Sequence, residues 1–544
     1  MLCRNLISAC VGISMGLVVL AAAPVGGTVA GGAEEPRRPA RPQPEKDTRM
    51  LLVKGRQPQV AIFKGQGDDL SVEKIVSALG VEPAHIQVVD VSKHQGRLPS
   101  KGAIIVGSLQ SNRLVEALLE EAGLHSQYAR LTQEGYLLKT LDDKLLVIGK
   151  GGSGTLYAAC DLKNFYFRYG EDEIGVPDLH VIENPVFKYR WFWNWDSRTH
   201  WVRAPDRKLL TRHANGWYPH AYGNGRELFL RDFKTMLDFA AEHHINGVIV
   251  WGFLRDEHGG VEAAKELCEF ASKRGVRIMP GVGPNQYNGF YYQGDHKFNS
   301  ITWAGDRPYL RALGPTEGFN RPEPIPTTLC LLKKENQSWL RDGVNWMYDN
   351  FAVGGFDVET SESWVCQCED HKRLQRGPHR FGDVELAQRI IMEEVRKRDP
   401  QSWIVLNPYD HQGGYSKEQL SKLVEAMPES IVLWYERRAA DHKGKYPGKR
   451  NIQHLGWAPR GYENPNPSLE AYKASLENAW RNEVDGVMLH GEGGAYLPNF
   501  ETVYLAFSAL AWNPKMGLDS LEDRILRFRT VNKGALKFRG DSSP

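Results

Sequence analysis

The stretch of residues 231–251, RDFKTMLDFAAEHHINGVIVW, combines a helical pattern with a strand-like run. Its first part places apolar side chains at helical spacing, which predicts an amphipathic helix over Arg231 to His243. Its last part, Gly247 to Trp251, is a short apolar run that is typical of a buried strand in a parallel sheet. A second helix, Val261 to Arg274, and a second strand, Val276 to Gly281, follow at once. This alternation predicts β/α units around a parallel sheet.

The alternation continues on both sides of this stretch. Six further strands are predicted: Tyr189–Asn194, Ala352–Asp357, Trp403–Asn407, Ile431–Tyr435, Asn451–Leu455 and Gly486–His490. Helices are predicted between most of them, such as Leu340–Asn350, Val384–Arg398 and Leu469–Asn482. Eight regularly spaced units over residues 185–515 predict an α/β fold with a closed (β/α)8 TIM barrel. An open doubly wound sheet is the alternative, and the regular spacing favours closure.

Residues 50–184 form a separate block and predict a small α+β domain before the barrel. Strands are expected at Gln59–Phe63 and Gly102–Gly107, and Asp142-Asp143 is expected to join two hairpin strands. The glycine-rich turn Gly151–Gly154 lacks the spacing and the Lys-Ser/Thr ending of a phosphate-binding loop. We therefore interpret it as a tightly packed strand-to-helix turn.

The two ends of the chain differ in composition from the blocks between them. Arg4, the apolar run Leu6 to Ala23 and the small residues after it predict a signal peptide over residues 1–30. An uncleaved membrane anchor is the alternative, since the run is close to the minimum length of about 17 residues for a span. Residues 31–49, rich in Pro, Arg and Glu, predict a disordered linker. Residues 516–544 predict a helical tail, and the expected location is secreted or periplasmic.

Charge and aromatic content narrow the class of partner. The formal net charge is +2, so no broad basic field is available to attract nucleic acid. The chain holds 15 Trp, several beside Asn, Asp, His or Glu. Such indoles either fill a core or pack against the apolar face of a sugar ring. The sequence thus predicts a carbohydrate partner and, once the signal is removed, no stable membrane association.

Cysteine usage gives only a weak indication of a metal. Five of the seven cysteines lie beyond the predicted signal: Cys160, Cys268, Cys330, Cys366 and Cys368. Cys366, Cys368 and His371 have C-x-C-x-x-H spacing, but a second ligand pair at matching spacing is missing. We therefore predict neither a metal site nor a cofactor. A metal-assisted hydrolase is the least favoured alternative.

Carboxylates are concentrated where a barrel enzyme carries its chemistry, after the carboxyl ends of the strands. Asp357, Glu359 and Glu362 follow the fourth predicted strand, and Asp441 follows the sixth. Asp357 and Glu359 are two residues apart, so an extended chain places them on one face. Cleavage of a glycosidic bond needs such a pair, with one carboxyl group donating a proton and a second carboxylate opposite it. These four residues are the predicted catalytic groups.

Aromatic, amide and charged side chains at the same strand ends are the predicted sugar-binding groups. They are Trp193, Asp196, Trp251, Tyr287, Asn407, Tyr435, Glu436, Arg437, Trp457, His490 and Glu492. Arg437 suits a uronic acid, since a guanidinium group binds a carboxylate with two parallel hydrogen bonds.

The layout resembles the family-67 α-glucuronidases and, more loosely, the family-20 β-hexosaminidases among glycoside hydrolases. The similarity is carried by Lys150–Tyr157, by Tyr189–Asp196 with its Trp-Asp ending, by Ile245–Val250 and most strongly by Tyr504–Pro514. Both families place a small α+β domain before a (β/α)8 barrel. About 30 residues follow Pro514, so we expect the protein to lack the longer helical C-terminal region that supports dimers in family 67 and to be a monomer.

The two resemblances imply different general acids. Thr360-Ser-Glu-Ser363 stands in the place of the Asp-Ser-Glu-Gly of family 67, which implies Glu362 as the acid and Asp441 as the base. Gly354–Glu359 is similar to the Gly-Gly-Asp-Glu signature of family 20 with one residue inserted, which implies Asp357 and Glu359 as the pair, with Glu359 as the acid. Either assignment implies a hydrolase of O-glycosyl bonds. A barrel that binds sugar without cleaving it is the alternative, because both motifs are altered.

Overall fold

The computed structural model describes most of the chain after the predicted linker. The described residues are 48–93, 102–196, 201, 225–283, 288–314, 323–359, 366–374, 381–407, 417–435, 439, 444–457, 468–491 and 498–531. The predicted signal peptide and nearly all of the predicted linker lie outside them. Within the described part, no helix combines the length and apolar character needed to span a bilayer.

Two sheets precede the barrel. Their strands are β1 Met50–Lys54, β2 Gln57–Pro58, β3 Ala61–Lys64, β4 Val88–Asp90, β5 Ala103–Gly107, β6 Tyr136–Leu141, β7 Lys144–Gly149, β8 Arg168–Tyr169, β9 Glu173–Val176 and β10 His180–Glu183. The larger sheet has the order β10-β6-β7-β5-β3-β4 and the smaller one the order β2-β1-β9-β8. The predicted hairpin is confirmed, because β6 and β7 pair antiparallel and Asp142 adopts a φ of 49° at their turn. The helices of this region are α1 Asp69–Leu79, α2 Val115–Glu121, α3 His125–Ala129 and α4 Gly152–Asp161.

Eight parallel strands then close into a barrel, which confirms the predicted fold class. They are β11 Tyr189–Trp195, β12 Gly247–Trp251, β13 Arg277–Val282, β16 Gly355–Glu359, β17 Trp403–Asn407, β18 Ile431–Tyr435, β19 Arg450–Trp457 and β20 Gly486–His490. Pairing of β11 with both β12 and β20 closes the ring, so the open-sheet alternative is wrong. Each strand overlaps the run predicted for it.

Helices follow the barrel strands, and one hairpin is inserted among them. The helices are α5 Arg226–Glu242, α6 Gly260–Ser272, α7 Ser300–Ala304, α8 Lys334–Asn350, α9 Glu369–Leu374, α10 Phe381–Arg398, α11 Lys417–Ala426, α12 Leu469–Arg481, α13 Pro498–Trp512 and α14 Leu518–Val531. The hairpin pairs β14 Arg311–Gly314 with β15 Glu323–Leu329 between the third and fourth barrel strands. The sequence analysis did not predict this hairpin.

The fourth barrel strand begins three residues later than predicted, at Gly355. Gly355 has a φ of +151°, and a Cβ there would lie 1.8 Å from the backbone oxygen of Trp403. Only glycine fits so close to the neighbouring strand, so the chain enters the sheet at this residue. The shift brings Glu359 inside the strand, where it pairs in register with Asn407.

The inside of the barrel is filled by aromatic and aliphatic side chains. Alternation along β11 sends Trp191 and Trp193 into the interior, whereas Phe192 packs outward against the helices. The interior cluster comprises Tyr189, Trp191, Trp193, Ile249, Trp251, Met279, Val405, Ile431, Leu433, Ile452 and Met488. The barrel is therefore a packed core, which leaves its carboxyl end as the place for chemistry.

A buried guanidinium group connects the N-terminal sheets to the barrel. Arg190 of β11 is fully buried, and its Nη2 lies 2.9 Å from Oε2 of Glu134. Its Nε donates to the carbonyl oxygen of His244 at 2.7 Å. Asn246, which precedes β12, donates from Nδ2 to Glu134 Oε1 at 3.0 Å. Glu134 thus neutralises the buried charge and joins two barrel strands to the preceding domain.

Replacing Glu134 with Ala is expected to lower the free energy of unfolding by about 2–3 kcal/mol, because Arg190 remains buried without its counter-charge. The figure is at the low end for a buried pair, since 22% of the Glu134 side chain is exposed and water can replace part of the interaction. Urea unfolding followed by tryptophan fluorescence measures the change. The exposed Glu116→Ala on α2 is the matched control, and equal stability of the two variants would contradict this role.

Candidate active site at the carboxyl end of the barrel

Asp357 lies at the centre of the candidate site. Its side chain is fully buried inside the barrel on β16. Oδ2 accepts a hydrogen bond from Trp193 Nε1 at 3.1 Å and another from Trp251 Nε1 at 3.0 Å. Two indoles from the first and second strands therefore hold a carboxylate from the fourth. Trp193 and Trp251, which were predicted to contact sugar, belong to the barrel core and orient Asp357.

The environment of Asp357 shifts its ionisation toward neutral pH. Burial raises the pKa of Asp357 from 3.8 to about 6, against the opposing effect of hydrogen bonds from Trp251, Trp193 and Asn407. A carboxyl group with such a pKa changes its charge close to physiological pH. Strongly shifted acids of this kind occur preferentially at functional sites, because burying one costs stability.

Glu359 is the second carboxylate on the same strand face. It is 6% exposed, and its Oε2 accepts a hydrogen bond from Asn407 Nδ2 at 2.9 Å. Because an amide N–H donates to Oε2, a proton on this carboxyl group belongs on Oε1. Asn407 also lowers the pKa of Asp357, so one amide interacts with both acids. The structure therefore brings together three residues that were predicted from the sequence.

Two buried histidines, His490 and His454, lie beside Trp193 at the candidate site. His490, at the end of β20, stacks on Trp193 with ring centroids 4.1 Å apart. Its Nδ1 lies 2.9 Å from Nε2 of His454, and both side chains are buried. Burial, followed by the neighbouring His490, holds the pKa of His454 well below its usual range. His454 is consequently a neutral imidazole at physiological pH, and it fixes the ring of His490 by a hydrogen bond.

Asp196 occupies a different environment from the one expected of a sugar-binding group. It is buried and forms an ion pair with Arg255, and His258 Nε2 lies 3.4 Å from its Oδ2. The guanidinium group of Arg255 in turn lies 4.0 Å from the ring centre of Tyr292. Asp196 therefore connects the chain after the first strand to the chain after the second, and its charge is already compensated.

Two half-buried aromatic rings stand at the carboxyl end of this set. Trp195 is two residues beyond Trp193 on β11, and its ring lies 5.4 Å from that of Trp251. Tyr292 meets Trp195 edge to face at 5.6 Å. Both remain partly exposed, as a sugar-stacking surface requires. Tyr292 was not predicted from the sequence, because it lies in a segment without strand or helix periodicity. The adjacent Tyr291 and Tyr292 are the sequence feature that could have indicated an aromatic surface.

Several predicted site residues fall outside the described residues. They are Tyr287, Glu362, Glu436, Arg437, Asp441 and Glu492. For Tyr435 and Trp457 the backbone is described, at the ends of β18 and β19, and the side chains are not. These eight assignments stay predictions.

No protein-family model matches the sequence, and no curated protein matches it. Solved structures do match. The β-N-acetylhexosaminidase of Bacteroides fragilis NCTC 9343 has a TM-score of 0.56 at 12% identity, covering 91% of this chain and 95% of that one.

Two further structures agree with this result. The family-20 β-N-acetylhexosaminidase of Streptomyces coelicolor A3(2) has a TM-score of 0.55 at 12% identity, over 90% of this chain and 94% of that one. The family-20 exo-β-N-acetylglucosaminidase of Vibrio harveyi, solved with N-acetylglucosamine, has a TM-score of 0.53 at 12% identity, covering 91% of this chain and 78% of that one. The likeness spans the N-terminal sheets as well as the barrel. The chain therefore has the fold of these glycoside hydrolases.

The buried charge of Asp357 makes a testable contribution to stability. A pKa raised from 3.8 to about 6 stabilises the fold below pH 3.8, and this contribution is lost as the pH rises through 6. Asp357→Asn removes the ionisation. Its stability relative to the parent should thus rise between about pH 4 and about pH 8, by about 3 kcal/mol at 1.36 kcal/mol per pKa unit.

Urea unfolding of both proteins across this pH range measures the difference. The exposed Asp306→Asn is the matched control and should show no such trend. A flat difference between parent and Asp357→Asn would show that the Asp357 carboxyl group is not held as described.

Proposed function

We propose that this protein is a glycoside hydrolase in which Glu359 donates the proton to the leaving oxygen. The single observation that carries the proposal is the carboxylate pair Asp357 and Glu359, which shares one strand face and the amide of Asn407. The pair lies at the carboxyl end of a barrel strand, where barrel enzymes carry their catalytic groups. The fold shared with β-N-acetylhexosaminidases supports the same assignment.

The two carboxyl groups have environments suited to different tasks. In the proposed reaction the Oε1 proton of Glu359 passes to the glycosidic oxygen as its bond to the anomeric carbon breaks, and positive charge develops on the sugar ring. In this proposal Asp357, ionised above a pH of about 6, supplies the negative charge that stabilises the ring. Water then forms a bond to the anomeric carbon, and its proton passes to the Glu359 carboxylate, which restores the acid. The indoles of Trp193 and Trp251 keep the Asp357 carboxylate in a fixed orientation.

The substrate class follows from the aromatic surface and from the structural neighbours. The rings of Trp195 and Tyr292 offer apolar faces for a pyranose beside the carboxylates. The neighbours are named as enzymes of β-linked N-acetylhexosamine, so glycans ending in that sugar are the proposed substrates. The predicted signal peptide supports an extracellular or periplasmic glycan as the target.

Glu362 remains the alternative proton donor, and leaving-group dependence distinguishes the two. Loss of a general acid slows cleavage most when the leaving group is poor, since a good leaving group departs without protonation. Glu359→Gln should lower kcat/KM about 10²–10⁴-fold on an unactivated N-acetylglucosamine disaccharide and far less on a nitrophenyl glycoside. Glu362→Gln should show no such split between the substrates.

Steady-state kinetics on both substrates provide the test, with the exposed Glu393→Gln on α10 as the matched control. If Glu362→Gln, and not Glu359→Gln, lowered kcat/KM much more on the disaccharide than on the nitrophenyl glycoside, Glu362 would be the proton donor. Binding of N-acetylglucosamine without turnover of any glycoside by the parent would overturn the enzyme assignment and favour the sugar-binding barrel.

A further inference from the structure

Four side chains that suit a metal ion converge at the β14–β15 hairpin, and none of them belongs to the carboxylate pair. They are Cys330, Cys366, Cys368 and His371, whose ligand atoms all lie within 4.8 Å of one another. Cys330 follows strand β15 directly, Cys366 and Cys368 precede helix α9, and His371 lies in that helix. The proposed hydrolysis uses none of them. We propose that this cluster is a structural zinc site of the Cys3His type.

The distances within the cluster fit a tetrahedral zinc ion. With Zn–S bonds near 2.3 Å and a Zn–N bond near 2.0 Å, tetrahedral ligands lie about 3.5–3.8 Å apart. Cys330 Sγ lies 4.0 Å from Cys368 Sγ and 3.7 Å from His371 Nδ1. Cys368 Sγ and His371 Nδ1 are 3.1 Å apart, so the ion would separate this pair by about half an ångström.

The surroundings of the cluster also suit a zinc thiolate centre. Cys330, Cys366 and His371 are buried, and Cys368 is only partly exposed. The backbone N–H of Leu313, in β14, donates to Cys366 Sγ at 3.2 Å. Such N–H···S hydrogen bonds stabilise the thiolate form and orient the ligand. Binding releases three thiol protons to solvent and leaves the centre with one net negative charge, a set that favours zinc over oxygen-preferring cations.

The position of the cluster explains what a metal contributes to the fold. The β14–β15 hairpin lies outside the barrel sheet, and the small apolar cluster beside it is formed mainly by Ala312, Leu313, Leu332 and the three cysteines. A two-stranded hairpin with so little core is marginal in water. Zinc would tie this hairpin to the chain that follows the fourth strand, since Cys366 is seven residues after Glu359. The ion would therefore hold helix α9 against the hairpin.

A disulfide is the main competing state, and the geometry disfavours it. A disulfide bond requires sulfur atoms about 2.05 Å apart, whereas Cys330 and Cys368 are separated by 4.0 Å. A disulfide between any two of these cysteines would also account for only two of the four clustered ligand atoms. The third thiol and His371 Nδ1 would remain unexplained. Four ligands of this kind at one point are accounted for by one tetrahedral ion.

Metal content of the full chain is the first test. Protein purified without chelators should contain about one zinc per chain by elemental mass spectrometry. Cys330→Ser should lower that ratio several-fold. Cys268→Ala, which changes a buried cysteine on α6 outside the cluster, is the matched control and should keep its zinc. The proposal would be overturned in favour of a disulfide if the purified parent protein contained no zinc and its intact mass were that of the fully reduced chain minus two hydrogen atoms.

A second measurement uses the parent protein, in case Cys330→Ser does not fold. Removing the metal with a strong chelator should lower Tm and expose Cys330, Cys366 and Cys368 to alkylation, as counted by peptide mass spectrometry. Adding cobalt(II) to the metal-free protein should give the visible absorption of a tetrahedral thiolate complex. Unchanged alkylation and Tm after chelation, together with no cobalt spectrum, would contradict the site. None of these readouts depends on glycoside hydrolysis.

Discussion

A carboxylate buried inside the barrel and held by two indole N–H groups is the constraint on which this structure depends. Asp357 is fully buried, and Trp193 and Trp251 both donate to the same oxygen atom. Burial of an acid costs free energy even when hydrogen bonds offset part of the cost, as the pKa near 6 indicates. A barrel built only for stability would place an apolar side chain here. A buried, shifted acid at this position therefore supports the proposal that Asp357 belongs to a functional site.

The same interaction links core packing to chemistry. Trp193 and Trp251 fill the barrel with their rings and orient Asp357 with their nitrogens, so the two roles cannot be separated in either residue. Above them, Asn407 interacts with both acids, and His454 fixes His490 against Trp193. The proposed catalytic end of the barrel is thus preorganised by its own core. Preorganisation of this kind spares the reaction the cost of reorienting groups in the transition state.

The barrel could be predicted from the sequence because its strands are buried on both faces. Runs such as Gly247–Trp251 are continuous and apolar, and helices of regular length separate them. The four-stranded N-terminal sheet could not be predicted, since β2 and β8 have two residues each and leave no periodicity. The β14–β15 hairpin was missed because its strands interrupt the β/α alternation.

Candidate site residues were predictable as a group, although their individual roles were not. Asp357, Glu359 and Asn407 were found from their positions at strand ends, and the structure places them together. Asp196 was predicted to bind sugar, but it forms an ion pair with Arg255. This pair could not be predicted, because the two residues are far apart in the sequence and only the fold brings them together. Cys330 was missed as a metal ligand for a similar reason. It lies 36 residues before Cys366 and completes the cluster only through the fold.

The proposed mechanism requires the acids of the fourth strand to face a bound sugar ring. A crystal structure of the Glu359→Gln variant with an N-acetylglucosamine disaccharide would show whether they do. We expect the glycosidic oxygen within about 3 Å of the residue 359 side chain and a pyranose face on Trp195. A sugar bound elsewhere on the barrel, with the Asp357 and residue 359 side chains closed off from it, would rule out this mechanism.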